Sequence, residues 1–74
     1  MIQLSELKKA LAFNLRELRK AKDWTQPEVA KKAGIGYRTY CSWENGDRFP
    51  NTRLLNNVLE LYGVSLNRVF RKVK

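Results

Sequence analysis

Residues 25–46 constrain this chain more than any other stretch: Thr-Gln-Pro-Glu-Val-Ala-Lys-Lys-Ala-Gly-Ile-Gly-Tyr-Arg-Thr-Tyr-Cys-Ser-Trp-Glu-Asn-Gly. Thr25 followed three positions later by Glu28 is a capping box, in which the Glu28 amide donates to the threonine hydroxyl and the glutamate reaches back. Pro27 falls in the first turn, where a missing N–H has no helical partner to lose. Trp24 and Val29 bracket the cap at the spacing of a hydrophobic staple. Gly34 suits the left-handed residue that closes a helix, and Gly36 is a weaker start for the next. Ala30 and Gly34, four apart, are small where two steeply crossed helices must approach, and Val29, Ala33, Ile35, Tyr40 and Trp43 supply apolar anchors. The segment thus predicts a short helix over 26–33, a glycine turn, and a second helix over about 37–45 whose outer face is free.

Seventy-four residues make one domain, and a chain this short buries only about 60% of its unfolded surface. Its core must come from helices packed around those anchors. One cysteine and no histidine exclude an intrachain disulfide and leave no zinc ligand set, so no metal or other cofactor is expected. A reducing cytoplasm suits this composition. No apolar run approaches the roughly 20 residues of a membrane span, and no signal-peptide pattern opens the chain. Without histidine, a pocket-like carboxylate pair or a phosphate loop, no catalytic chemistry is encoded and an enzyme is not expected.

Outside the central segment, Leu7, Leu11, Leu15 and Leu18 recur at helical steps. They predict a first helix from about Glu6 to Lys20, capped by Ser5, with Lys8, Lys9, Arg16 and Lys20 falling mostly elsewhere. Asn45 to Pro50 is turn chemistry. Asn51 can cap a fourth helix to about Tyr62 carrying Leu54, Leu55, Val58, Leu59 and Leu61, ended by Gly63. Ser65 can cap a short fifth helix with Leu66, Val69 and Phe70, before a basic tail over residues 71–74. The phenylalanines and remaining leucines are expected in the core. The fold class is all-α, a five-helix bundle around a central helix-turn-helix, with residues 1–74 as one domain.

Fifteen Lys and Arg stand against seven Asp and Glu, a net charge of +8. Such an excess favours polyanionic partners; charge alone also fits a solubility surface or a membrane-surface binder. A helix-turn-helix whose second helix is free is the device that enters a DNA major groove, and the combination points to DNA.

Leu15-Arg16-x-Leu18-Arg19, then Thr25-Gln26-x-x-Val29-Ala30-x-x-Ala33-Gly34-Ile35, Trp43-Glu44-Asn45-Gly46, Pro50, Leu55-x-x-Val58 and Gly63-Val64-Ser65-Leu66 resemble the phage-repressor/Cro-like helix-turn-helix family, also called the Xre family. The likeness runs from Leu15 to Phe70, about three quarters of the chain, and implies a lambda-repressor-like DNA-binding domain. The chain departs from that pattern at Gly36, where Ser or Thr is usual, at Tyr40 and Trp43, where aliphatic residues are commoner, and at Asn67-Arg68, where an acidic residue is frequent.

With Tyr40 and Trp43 inward, helix geometry puts Tyr37, Arg38, Cys41 and Ser42 on the open face with Thr39 flanking. The resemblance implies that these positions read bases. Arg38 can fork onto guanine O6 and N7 or rest on a phosphate; Tyr37 can meet a thymine methyl, a phosphate or merely pack on the surface. The resemblance puts Gln26 on the sugar-phosphate backbone, where the helix end also favours an anion. Gly36, Asn45, Arg48, Arg53 and Arg19 join it as phosphate contacts, while Lys31 and Lys32 can simply solvate. Arg19 and Glu44 match an ion pair of relatives, with two unrelated surface charges as the alternative. Leu66, Val69 and Phe70 are dimer candidates or core. Cys41 has no resolving cysteine near it in sequence.

The expected function is sequence-specific binding of double-stranded DNA by a bacterial or phage transcriptional repressor, cytoplasmic, acting as a homodimer on a palindromic operator. The alternative is an antitoxin or restriction-modification controller working through a protein partner such as a toxin.

Overall fold

The computed structural model describes residues 3–72. Five helices follow in order: α1 (Leu4–Ala21), α2 (Gln26–Ala33), α3 (Tyr37–Glu44), α4 (Thr52–Tyr62) and α5 (Leu66–Val69). All regular elements among the described residues are helical, as the periodicity predicts. α1 packs on α3 and α5, while α2 packs on α3 and α4. Val73 and Lys74 of the basic tail lie outside the described residues.

Helix ends follow local chemistry, with three corrections. α1 begins two residues before the expected start and is not capped by Ser5. Its N-cap is Gln3, without a side-chain bond, because the Glu6 and Leu7 amides close the first turn on the Gln3 carbonyl at 3.0 and 3.2 Å. α3 ends at Glu44, with Asn45 as C-cap and Gly46 at φ +75°; the Asp47 amide turns back to the Ser42 carbonyl at 2.9 Å. Ser65 precedes α5 but makes no side-chain cap, since a four-residue helix is closed by its backbone alone.

The remaining ends behave as the residue types dictate. The Glu28 amide donates to the Thr25 hydroxyl at 3.3 Å, and the Thr25 amide donates to the Glu28 carboxylate at 2.9 Å. Those bonds hold the exposed Glu28 carboxyl below its ordinary range. Asn51 caps α4 by accepting from the Arg53 and Leu54 amides. Gly34 and Gly63 close α2 and α4 at φ +71° and +68°, a left-handed turn that a Cβ disfavours by about 1–2 kcal/mol.

One core joins the bundle: Leu11 and Leu15 from α1, Val29, Ala30 and Ala33 from α2, Tyr40 and Trp43 from α3, with Leu55, Val58, Leu59, Tyr62 and Val69. Trp24 packs against this cluster that includes Val29, its ring stacked on Tyr62 at 6.1 Å. Fully buried Tyr40 and Trp43 anchor α3; truncating such an aromatic typically costs about 3–5 kcal/mol. Not every phenylalanine is core. Phe13 lies two positions from both Leu11 and Leu15, roughly 200° around α1, and is 40% exposed. Phe49 is also exposed, stacked on half-buried Phe70 with centroids 5.7 Å apart.

Candidate nucleic-acid interface

α3 has two unlike sides. Tyr40 and Trp43 are buried, while Tyr37, half exposed, Arg38 and Thr39 face solvent, with Cys41 and Ser42 half-buried beside them. The five residues expected on the open face therefore share one helix, but not one degree of access. Ser42 donates its hydroxyl to the Thr39 carbonyl at 2.7 Å, leaving it as an acceptor toward anything outside. The neighbouring Cys41 thiol, one turn on, raises the Tyr37 phenol above its usual range. Arg38 is exposed in the first turn, near the N-terminal end of this face.

Behind that surface sits a buried carboxylate. Glu44, 1% exposed, accepts from Arg19 Nε at 2.8 Å and Nη2 at 3.1 Å, and from Gln26 Nε2 at 3.1 Å. Arg19 Nη1 donates in turn to the Trp24 carbonyl at 3.1 Å, and Arg16 Nη1 donates to the Glu44 backbone carbonyl at 2.6 Å. α1 and α2 thus grip the C-terminal end of α3 through one side chain. The Glu44 hydrogen bond holds the Arg19 guanidinium above its usual value. A bidentate pair of this kind fixes geometry as well as charge.

The phosphate candidates divide. Asn45, Arg48, Arg53 and Gly36 are exposed around α3. Gln26 is half-buried with its amide on Glu44, and Arg19, only 17% exposed, spends three donors inside the molecule. The start of α2 is a poorer anion seat than its helix dipole suggests: the Thr25 and Glu28 amides serve the capping box, and Glu28 adds a negative charge there. Lys32 does more than solvate, its ammonium lying 5.0 Å from the Trp24 ring centroid, within reach of a cation–π attraction.

The model of the helix-turn-helix family designated HTH_3 matches residues 15–69. The chain belongs to that helix-turn-helix family. Two curated relatives of this helix-turn-helix chain are regulators by name. One is the cryptic phage CTXphi transcriptional repressor RstR of Vibrio cholerae, 35% identical over 52 residues, which are 70% of this chain and 47% of the repressor. The other is the uncharacterized HTH-type transcriptional regulator YqaE of Bacillus subtilis strain 168, 36% identical over 58 residues, 78% of this chain and 50% of that protein. The chain spans about half the length of the curated relatives it matches. The crystal structure of a hypothetical transcription factor, NHTF from Neisseria, superposes with a TM-score of 0.84 over 97% of this chain and 83% of that one, at 21% identity; the likeness is one of fold.

Within this helix-turn-helix domain, the roles of Arg16 and Asn14 and the contact between Tyr40 and Tyr62 escape pattern reading. Arg16 stands three residues before Arg19, so both reach α3, a spacing that could have signalled its role. Asn14 lies on the leucine stripe and is buried, bonded to the Val69 carbonyl at 2.8 Å; a polar residue at an apolar helix position was its signal. Tyr40 and Tyr62 share a buried hydroxyl–hydroxyl hydrogen bond of 2.9 Å, for which no local sequence cue exists. One dimer candidate is corrected: Val69 is fully buried in the protein's own core, whereas Leu66 is 49% exposed and Phe70 half-buried.

Proposed function

We propose that this chain binds double-stranded DNA sequence-specifically and regulates transcription, laying the outer face of α3 in the major groove. The observation that carries this reading is the two-sidedness of α3, buried through Tyr40 and Trp43, gripped at Glu44, and open at Tyr37, Arg38 and Thr39. A helix held this firmly can present side chains to base edges at fixed positions, and family membership supplies the groove. Arg38 reads guanine; Tyr37, Thr39 and Cys41 add van der Waals contact, and Ser42 accepts from a base amino group. Asn45, Arg48 and Arg53, with the Gly36 backbone, Gln26 and the remaining Arg19 donors, set register on phosphates.

Repression by occluding polymerase is the favoured mode, because RstR is named a repressor. Neither relative is named an antitoxin or a restriction controller, so that alternative is not favoured. Two copies joined through the exposed Leu66, with Val69 buried in the core and half-buried Phe70 stacked on Phe49 instead, would read half-sites about 34 Å apart on a palindrome. Among the described residues no helix is long and apolar enough to cross a membrane, and the cytoplasm, where bacterial DNA lies, is the expected place of action. In vitro selection of bound duplexes tests the whole reading. A palindromic consensus bound far more tightly than random duplex is expected; equal binding to both at moderate salt would defeat it.

A further inference from the structure

Along α1 and the end of α5 runs a groove of about 510 Å³, lined by none of the exposed α3 residues. Leu7, Phe13 and Phe70 give it an apolar floor, and Lys9, Arg16 and Lys72 a cationic rim, with Glu6 the one acid among its lining residues. From Glu6 to Arg16 it follows α1 for ten residues, about 15 Å of helix.

Chemistry separates the occupants such a groove could take. Nucleic acid phosphates would satisfy the rim and leave the phenylalanines against a polyanion. A second copy of the chain brings a charge of +8 to a cationic edge. A small ligand favours a closed cavity that buries most of its surface, whereas this groove is half open between α1 and the end of α5. A helical segment with apolar residues one turn apart and carboxylates beside them matches floor, rim and length together, the helix-in-groove mode of recognition.

We propose that this groove docks an acidic, amphipathic peptide segment of another protein, its apolar side chains on Phe13 and Phe70 and its carboxylates at Lys9, Arg16 and Lys72. Such a segment would touch two supports of α3. Arg16 holds the Glu44 carbonyl, and Phe70 stacks on Phe49 in the loop that follows α3. Docking does not depend on the DNA-binding reading; any effect of docking on operator affinity does.

Selection from a random display library of peptides about 12 residues long, on the whole chain without DNA, tests the proposal. Phe13→Asp serves as counter-selection, and K9E/K72E as a second variant that spares the floor. Both alter exposed side chains, and their melting curves establish that they fold. Enriched peptides are expected to pair Leu, Phe or Trp at helical spacing with several Asp or Glu. Their affinity, read by fluorescence anisotropy, should fall roughly tenfold or more in Phe13→Asp, the loss typical of a central interface contact, and should fall less, with a weakened salt dependence, in K9E/K72E. Absence of enrichment, or enrichment of basic or uncharged sequences, would overturn it. So would a dimer in sedimentation velocity that Phe13→Asp dissolves, or displacement of the selected peptide by duplex DNA in the K9E/K72E-sensitive manner of a shared site.

Discussion

Asn14 donates its side-chain amide to the Val69 carbonyl at 2.8 Å and to the Arg71 carbonyl at 3.0 Å, tying α1 to the end of α5 across 55 residues of sequence. The Val69 side chain is fully buried, so its carbonyl is poorly placed to find water once the amide is gone. Asn14→Ala should cost about 1–3 kcal/mol, the desolvation cost of an orphaned polar group. Urea unfolding should show a lower midpoint at unchanged slope; an unaltered midpoint would mean that the bond contributes nothing.

Removing the Glu44 carboxylate leaves three donors of α1 and α2 without their acceptor. Glu44→Ala is expected to cost about 3 kcal/mol, the low end for breaking a buried pair, because Arg19 retains 17% exposure and can turn to water. Glu44→Gln, which keeps an acceptor and the side-chain volume, should lose clearly less. Equal losses would argue that packing, not charge, fixes this end of α3.

Alkaline pH should unfold the protein through its tyrosine pair. Burial first, then the nearby Glu44 carboxylate and the partner hydroxyl, push the Tyr40 phenol far up; burial also raises Tyr62, partly offset by the Tyr40 hydrogen bond and the Arg19 charge. A raised folded pKa stabilises fully below the unfolded pKa, and the gain is lost as pH climbs past it. Unfolded tyrosine ionises near about pH 10, so stability should fall above that by up to roughly 1.4 kcal/mol per pH unit for each phenol. The double variant Tyr40→Phe/Tyr62→Phe, which leaves neither hydroxyl orphaned, should flatten the decline in thermal melts recorded from about pH 9 to 11.5.

Two glycines of the turn should respond with opposite signs. Gly34 has φ +71°, so Gly34→Ala should destabilise by about 1–2 kcal/mol, although nothing stands within 4 Å of the added Cβ. Gly36 has φ −65° and a new Cβ would meet only the Thr39 side chain, its hydroxyl at 3.5 Å and its Cβ at 4.0 Å. Gly36→Ser should add a few tenths of a kcal/mol by supplying the absent cap. Thermal midpoints of the two variants should straddle that of the parent.

On DNA, Arg38→Ala should remove about 1–3 kcal/mol of preference for the selected site while leaving the melting temperature and random-duplex binding nearly unchanged. Arg53→Ala should weaken both duplexes alike and lower the salt dependence of affinity by about one unit of slope. Anisotropy titrations across a salt series separate the two. Should Arg38→Ala behave like Arg53→Ala, Arg38 is a phosphate contact.

Much of the scaffold is written in short-range code. Thr25 and Glu28 cap each other because they are three residues apart, and Gly34 and Gly63 end helices because of their own φ preference, so neighbours in sequence suffice. Val69 could not be told from Leu66 and Phe70 in this way, since a four-residue helix is too short to display a periodicity. Tyr40 with Tyr62, and Gln26 with Glu44, meet only through the crossing of separate helices. Ser5 is a good cap by type, yet α1 starts before it because the backbone carbonyl of Gln3 serves the first turn. The face of α3 is legible once Tyr40 and Trp43 are taken as anchors, but the Ser42 bond to the Thr39 carbonyl and the inward engagement of Arg19 need atomic distances.

Clamped at Glu44 and entered through an uncapped Gly36, α3 resembles a lever pivoted at one extremity. The fully buried Tyr40 and Trp43 confine any tilt to the first turn, at Tyr37. Tolerance for altered bases should therefore be greatest where the leading tip lands and least beside the pivot, giving each half-site one lenient edge and one strict edge.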